Sequence, residues 1–349
     1  MKTKMKKLGI IFGGMSTENE VSVQSAFSIL QNLDKEKYDI FPIYIEKNGN
    51  WYEYQGNFEK IGFGETLKDI YEIPDVMKYL KKLDVVFPVL HGLYGEDGTI
   101  QGLLELLKIP YVGCGVLASS IGMDKVYTKI IFEKVGINQA KYEFVKKVNH
   151  NYVYVDKQFQ EKQMELKEIV ELISENLKFP VFVKPSRSGS SVGVKKAKDK
   201  KELSENIEYA SRFDSKILSE EGIIGKEVEC AVFGKDEVMA SRVGEIKSAE
   251  EFYSFDAKYI NEESRTQIPA NISIEKEDEI RKLAIKAFKA IDGKGLSRVD
   301  FFVEEGTQMV YINEINTLPG FTSISMYPKM MEASGVPVKK LLDSLIELC

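Results

Sequence analysis

The chain has 349 residues, 43% of them hydrophobic and 29% charged, which suits a soluble globular protein of two or three domains with real cores. Its 48 basic and 54 acidic residues leave a formal net charge of −6, which argues against nucleic acid or an anionic membrane as main partner but not against local phosphate sites. Cys114, Cys230 and Cys349 are too few and too widely spaced for a disulfide framework or a zinc centre, and without a membrane-length or signal-like apolar run the expected compartment is the cytoplasm.

Residues 7–12 form an apolar strand ending in Gly13-Gly14, and a 3.6-residue period through Leu33 makes the next segment a helix. Thr17 and Glu20 have the spacing of a capping box at its start. Strand, glycine turn and helix opening make the first unit of a doubly wound parallel sheet, whose ligands collect at the carboxyl ends of the strands. The glycine pair lacks the G-x-G-x-x-G spacing of a dinucleotide site, which disfavours an NAD-dependent oxidoreductase. Glu18 is either a first-turn acid resting on the helix dipole or a group turned back to hold a cation such as an ammonium. Tyr38–Ile45 reads as a second strand, 48–75 as aromatic-rich hairpin or loop around Trp51, and 76–82 as a helix. Residues 84–90 form a buried strand ending at His91, which therefore stands at the mouth of the sheet, as a structural residue or as a ligand group. A glycine-punctuated loop leads to a helix at 100–107, and the first domain ends near residue 123.

Asp124-Lys125 opens a helix whose Lys125 either lies on the surface or reaches a phosphate. Residues 146–167 are polar and carry no readable chemistry; His150 and the lysine run 195–201 read as solvated. A strand at 179–184 enters Pro185-Ser-Arg-Ser-Gly-Ser-Ser-Val-Gly193, a loop between two strands and so not a Walker A site, which needs a following helix. It is either a plain flexible hairpin or a set of backbone N–H groups laid over a polyphosphate, with Lys184 as a point charge. A strand at 216–220 leads into Glu220, Glu221, Ile223 and Glu227, edge groups and an apolar contact suited to an adenosine. Residues 245–270 form a long polar and aromatic connection of the kind that serves as a lid, before a helix at 275–291.

The chemistry concentrates in residues 295–326. Apolar runs at 299–303 and 309–315 flank a Glu-Glu-Gly-Thr turn and read as an antiparallel hairpin. With the turn centred on Gly306-Thr307, Asp300 falls opposite Glu314 and Arg298 opposite Asn316, and alternation puts all four on one face. Opposed carboxylates persist only where a cation compensates. Oxygens of Asp, Glu and Asn without Cys or His suit Mg²⁺. The alternative is an edge hairpin with a solvated polar face. Leu318-Pro319-Gly320 then turns and exposes backbone N–H groups beside Arg298.

Six motifs in order resemble the D-alanine–D-alanine ligase family of ATP-grasp enzymes: Gly-Gly-Met-Ser-Thr-Glu18-Asn-Glu-Val-Ser, His91-Gly-Leu-Tyr-Gly-Glu-Asp-Gly-Thr, Lys184-Pro-Ser-Arg-Ser-Gly-Ser-Ser-Val-Gly, Phe-Asp-Ala-Lys258-Tyr259, Ser-Arg298-Val-Asp300 and Asn-Glu314-Ile-Asn-Thr-Leu-Pro-Gly-Phe-Thr-Ser. The resemblance runs nearly end to end and is weakest over 146–167. It implies an α/β and α+β fold, with an N-terminal doubly wound parallel-sheet domain (1–123) followed by a two-lobed ATP-grasp fold. The central lobe would span 124–227, and the C-terminal lobe 228–349 would carry the metal site and a lid at about 245–270.

The same resemblance implies ATP-dependent ligation of two D-alanines through a D-alanyl phosphate for peptidoglycan precursors, in a homodimer using two Mg²⁺, with Mn²⁺ as a substitute. Glu18 would hold the first substrate's ammonium, with His91 near its carboxylate. Lys125, Lys184, Glu220, Ile223 and Glu227 would bind ATP, joined by Ser190, Ser191, Glu221, Lys258 and Asn316. Glu18, Ser190 and Tyr259 would form a hydrogen-bonded set tying the lid to the other domains, and Lys258 would touch phosphate and substrate. Asp300, Glu314 and Asn316 would hold the metals, and Arg298 with the Gly320 N–H would stabilise the oxyanion. Ser325 and the Met326 N–H would bind the second substrate's carboxylate. The Asp-Ala-Lys258-Tyr259 stretch lacks the histidine of lactate-forming relatives. Met326 stands where serine-forming relatives resemble an Arg, and it offers a serine hydroxyl no hydrogen bond. D-alanine is thus the expected second substrate; a D-alanine–D-serine ligase is the alternative, and another ATP-grasp carboxylate–amine ligase a more distant one.

Overall fold

A computed structural model describes residues 5–57, 67–247 and 265–349; the expected positions Lys258 and Tyr259, and most of the expected lid, lie outside the described residues. The first sheet has strand order β4-β3-β2-β1-β5, from β1 (Lys6–Gly13), β2 (Tyr38–Ile45), β3 (Trp51–Tyr54), β4 (Ile70–Glu72) and β5 (Val85–Pro88). β1 pairs in parallel with β2 and β5, while β3 and β4 extend the β2 edge antiparallel. Parallel strands need cover on both faces, which is why β1 reads as a nearly unbroken apolar run. Leu8, Ile10 and Phe12 pack against Phe27 and Leu30 of α1 (Asn19–Asn32). Ile11 and Ile43 face Leu80 of α2 (Val76–Leu80) and Leu104 of α3 (Thr99–Leu107).

The capping box anticipated at Thr17 and Glu20 does not form. The N-cap position falls on Glu18, one residue later, and no side chain caps the helix. Ser16 ties this entrance down instead: its hydroxyl accepts from the Glu18 N–H (3.1 Å) and donates to the His91 carbonyl (2.6 Å). The helix start is thereby bonded to the chain leaving β5.

After α4 (Val116–Met123) and α5 (Lys125–Lys134), a second, fully antiparallel sheet runs β10-β9-β11-β6-β7-β8. It is built from β6 (Tyr142–Val148), β7 (Asn151–Val155), β8 (Glu161–Met164), β9 (Val181–Pro185), β10 (Lys195–Ala197) and β11 (Lys216–Glu221). One face buries Val145, Val181, Val183 and Ile217 under α6 (Leu166–Asn176) and α7 (Lys200–Ala210). On the other, Phe144, Val155 and Leu218 cluster with Val126 of α5. The polar stretch 146–167 thus supplies the edge strand β8 and its neighbour β7.

The third sheet, ordered β14-β13-β12-β15-β16, comprises β12 (Gly225–Gly234), β13 (Val238–Lys247), β14 (Arg265–Gln267), β15 (Gly295–Glu304) and β16 (Val310–Asn316). Val228, Val232, Val299, Phe301 and Ile312 bury against α8 (Ile274–Ala290) through Ile280, Ala284 and Phe288. The β15–β16 register pairs Arg298 with Asn316 and Asp300 with Glu314, as expected, although the pairs nearest the turn, from Val303–Val310 to Phe301–Ile312, run one residue out of step with them. A bulge after Asp300 makes the shift. The chain closes with α9 (Met326–Ala333) and α10 (Val338–Glu347), whose Leu341, Leu342 and Leu345 join the core of the first sheet. That core also takes in Leu296, Leu318, Phe321 and Tyr327, so the first and third sheets share one interior.

Gly13 ends β1 at φ +88°, and a Cβ there would lie 2.3 Å from the Ile45 carbonyl oxygen. Gly14 donates to that same carbonyl (2.7 Å), fixing the turn that leads to Glu18. Gly13→Ala combines the left-handed penalty with a clash against backbone, and is expected to destabilise by about 2 kcal/mol or more. Urea unfolding of the variant beside the parent checks this; an unchanged midpoint would show that the turn relaxes.

Candidate active site

Two connected spaces lie where the sheets meet. The larger, about 440 Å³, is walled by Lys125, Lys184, Ser191, Glu220, Glu221, Ile223, Glu227 and Glu314. The smaller, about 110 Å³, is walled by Glu18, His91, Arg298, Asn316, Gly320, Ser325 and Met326. Lys125, Ser190 and Glu314 border both. Every described position singled out in the sequence, Asp300 excepted, lines one of the two, and Asp300 stands directly behind Arg298.

Arg298 is the centre of charge in the smaller space. Its Nε and Nη2 donate to the two oxygens of Asp300 (2.8 and 2.7 Å), and Glu229 on β12 lies 3.2 Å away. Burial disfavours the guanidinium charge, but Asp300 and then Glu229 outweigh it and raise the pKa well above the ordinary arginine value. The group is permanently cationic. Arg298 is the compensating cation that opposed carboxylates need, with Lys125 3.3 Å from Glu314 as a second. With Asp300 only 3% exposed, a solvated edge hairpin is excluded. Glu229 escaped the sequence reading because only long-range register sets it opposite Asp300.

Glu18 is held from the other side. The Ser190 hydroxyl donates to its carboxylate. A Cβ at Gly189 would come within 2.7 Å of Glu18 Oε2, so the loop can approach the acid only without one. Ser190 and Ser191 both adopt positive φ (48° and 60°), a strained conformation for residues with a Cβ that is found mainly at functional sites.

His91 does not stand at an open mouth; it is 5% exposed and fixed on both nitrogens. Nδ1 faces the Leu318 carbonyl (3.1 Å) and Nε2 the Ser25 hydroxyl (3.0 Å). A proton on Nδ1 serves the carbonyl, and Ser25 Oγ also accepts from the Phe321 N–H (3.1 Å). Glu96 lies 3.6 Å from Nδ1. Burial raises its carboxyl above the usual range against the His91 hydrogen bond, and the Glu18 charge adds to the rise. Glu96 lies in the His91-Gly-Leu-Tyr-Gly-Glu loop, and the signal for it was there: an acid five residues beyond a histidine at a strand end.

In the larger space Lys125 donates to the Ser188 carbonyl in the serine-rich loop (2.8 Å). Lys184 pairs with Glu220 and comes within 3.4 Å of Asn313. A further lysine, Lys129, lies 2.9 Å from Glu220. It falls four residues after Lys125, one helical turn on along the same face, and that spacing was the available signal. Burial pushes the Glu220 carboxyl up, but Lys129 and Lys184 overcome it and bring the pKa down to about 2.

Glu314 and Asn316 present hard oxygen donors to the small space, with Asp300 behind them holding Arg298 through both oxygens, and Asn316 Oδ1 also accepts from the Leu318 N–H (3.1 Å). Among the described residues no three His, Cys, Asp or Glu side chains gather for a metal, so any ion here depends on the asparagine. That donor chemistry fits a hard divalent cation such as Mg²⁺ and not a soft one. At the far wall Ser325 stands at the N-cap position of α9 without a side-chain capping bond, its Oγ accepting instead from the Thr322 N–H (3.0 Å). Met326 borders the space and is the first helical residue, so its N–H has no partner within the helix. No described helix is long and apolar enough to cross a membrane.

The depressed Glu220 carboxyl sets a pH dependence. Its folded pKa lies below the ordinary value near 4.5, so its contribution is complete above 4.5 and is lost as pH falls toward about 2. The stability advantage of the parent over Glu220→Gln at pH 7 is expected to narrow below pH 4.5. Unfolding midpoints at pH 7, 5 and 4 check it; a constant difference would exclude Glu220 as the titrating group.

Comparison with known proteins agrees with this geometry. The family described as D-ala D-ala ligase matches with its N-terminal model over residues 7–114 and its C-terminal model over 131–347. The D-alanine–D-alanine ligases of Acetivibrio thermocellus and Clostridium acetobutylicum are 50% and 51% identical to this chain. Each alignment covers 98% of this chain, with 95% and 97% of the respective relative. Among solved structures, the D-alanine–D-alanine ligase of Coxiella burnetii superposes with a TM-score of 0.80 at 34% identity, covering 99% of this chain and 94% of that one. The VanG D-Ala:D-Ser ligase of Enterococcus faecalis does so at 0.85 and 39%, covering 99% of each chain. The chain therefore belongs to the D-alanine–D-alanine ligase family.

Proposed function

We propose that the protein joins two D-alanines into D-alanyl-D-alanine, converting ATP to ADP and phosphate, and so supplies a peptidoglycan precursor. The observation that carries this reading is the junction itself: a small pocket with an acid, a buried arginine and a helix N-terminus opens onto a lysine-lined cleft. Glu18 would hold the ammonium of the first D-alanine, with its carboxylate directed at the cleft. Lys125 and Lys184 would take the phosphates, and Glu220, Glu221, Ile223 and Glu227 the nucleoside. Asp300, Glu314 and Asn316 would hold Mg²⁺, or Mn²⁺ in its place, which supplies charge neutralisation for phosphoryl transfer.

Attack of the first carboxylate on the γ-phosphorus gives an acyl phosphate and ADP. The amine of the second D-alanine, its carboxylate held by Ser325 and the Met326 N–H, then attacks the acyl carbon. Arg298 and the Gly320 N–H would receive the oxyanion, and its collapse expels phosphate and forms the peptide bond. Water would destroy the acyl phosphate, so the site needs cover. Residues 245–270, with Lys258 and Tyr259, are our choice for the lid, with Tyr259 joining Glu18 and Ser190. The three sheets support domains divided near residues 123 and 227, β12 beginning at Gly225. A cytoplasmic homodimer completes the proposal.

The likeness to a D-Ala:D-Ser ligase supports a second reading, in which D-serine is the acceptor. Met326 favours D-alanine, since a thioether offers the hydroxyl nothing; an apolar pocket nonetheless excludes an added hydroxyl only weakly.

With ATP and Mg²⁺, D-alanine alone is expected to release phosphate and yield D-alanyl-D-alanine by mass, and this product should dominate when D-serine is added in equal amount. Predominant D-alanyl-D-serine would transfer the protein to the second reading, and turnover without any D-amino acid would defeat both. Chelation of divalent cations should abolish phosphate release and their return restore it. Arg298→Met is expected to lower kcat by about 10²–10³; steady-state kinetics with kcat within tenfold of the parent would remove Arg298 from the oxyanion site.

A further inference from the structure

The second lysine on Glu220 has no place in the mechanism above, yet it is among the most thoroughly buried charges in the chain. Lys129 is 3% exposed, and its Nζ lies 2.9 Å from Glu220 Oε2 while Lys184 occupies Oε1. The ammonium sits 5.4 Å from the centre of the Tyr142 ring, and Gln139 donates to the Lys129 carbonyl (2.8 Å), closing the end of the helix around it. Both lysines border the cleft, but the Lys184 side chain is the more exposed of the two (13% against 4%) and also reaches Asn313. It is the member of the trio that can turn toward a polyphosphate.

We propose that Lys129 is a positioning residue for ATP: it holds Glu220 compensated so that Lys184 can leave that carboxylate for the phosphates. The inference rests on the ATP reading of the cleft. Were Lys184 the sole partner of Glu220, its departure would strand a buried carboxylate, which is among the costliest events in a protein interior. Binding would then have to work against that loss. With Lys129 in place the carboxylate keeps a partner throughout, stays ionised and remains an acceptor for a donor edge of the nucleoside. A single buried lysine would force Glu220 and the phosphates to compete for it; two remove the competition. The depression of the Glu220 carboxyl by Lys129 ahead of Lys184 agrees with this division of labour.

The test is a double-mutant cycle on ATP binding in the full-length enzyme, with KM for ATP, KM for D-alanine and kcat measured for the parent, Lys129→Met, Glu220→Gln and the double variant. Lys129→Met is expected to raise KM for ATP by about tenfold or more while KM for D-alanine moves by less than about twofold. In the Glu220→Gln background, where no charge is left to strand, the same substitution should change KM for ATP by less than about twofold. Lys129→Arg, which keeps the charge, should recover most of the loss. Equal losses in both backgrounds would show that Lys129 serves packing alone, and an unmoved KM for ATP in Lys129→Met would overturn the proposal outright. If Lys129→Met does not fold, Lys129→Gln enters the same cycle. A parent enzyme without ATP-dependent turnover would strike the reading of the cleft, and the inference with it; a parent that turns over beside an unaffected Lys129 variant would strike only the inference.

Discussion

Asp300 and Glu314 face each other across one antiparallel pair of strands, where like charges repel at the closest side-chain spacing a sheet offers. Everything around them answers that repulsion. Arg298 lies two residues before Asp300 on the same face, and takes both of its oxygens. Lys125 reaches across from α5 to Glu314. Arg298 would in turn be a cation too many for a single acid, and Glu229 on the neighbouring strand balances it. The result is a largely buried lattice in which acid and base alternate. Such a lattice is already arranged for a phosphoryl group and its cations to enter by exchange of partners.

The small pocket depends on two distant parts of the chain being held at one spacing. Ser25 and His91 belong to the first sheet and its helix, whereas Leu318 and Phe321 follow the β15–β16 hairpin, 227 or more residues later than His91. The four are joined by three hydrogen bonds. Behind them, α10 packs its leucines into the core of the first sheet. Glu18 on one wall and Gly320 on the other are therefore parts of one rigid body, and a substrate spanning them meets preformed geometry.

Much of this was legible in the order of residues. The expected hairpin placed Arg298, Asp300, Glu314 and Asn316 on one face, and the structure keeps both pairs, though through a bulge that simple alternation does not record. The serine-rich loop, the strand ending at His91 and the helix opening at Lys125 were equally readable, since each carries its own local signal. What escaped depended on distance or on competition. Glu229 is set opposite Asp300 by a register that no local pattern records. Thr17 and Glu20 had the right spacing for a cap, but the bonds of Ser16 to His91 and Glu18 won the helix entrance. Residues 146–167 are too polar to announce strands, because β7 and β8, at the outer end of their sheet, bury little besides Val155.

The bulge after Asp300 settles a conflict that alternation alone cannot. Along β16, Val310 and Ile312 belong to the hydrophobic interior, yet Glu314 and Asn316, of the same parity, belong to the cleft. On an unbroken ladder all four would share one face. Asn313, the surplus residue, reverses the phase midway, so that one strand anchors the domain near its turn and serves the substrate at its exit. The constellation is thus not a portable set of side chains. Grafted onto a regular hairpin, it would drag Val310 and Ile312 out into the cleft; the irregularity has to travel with the residues it aims.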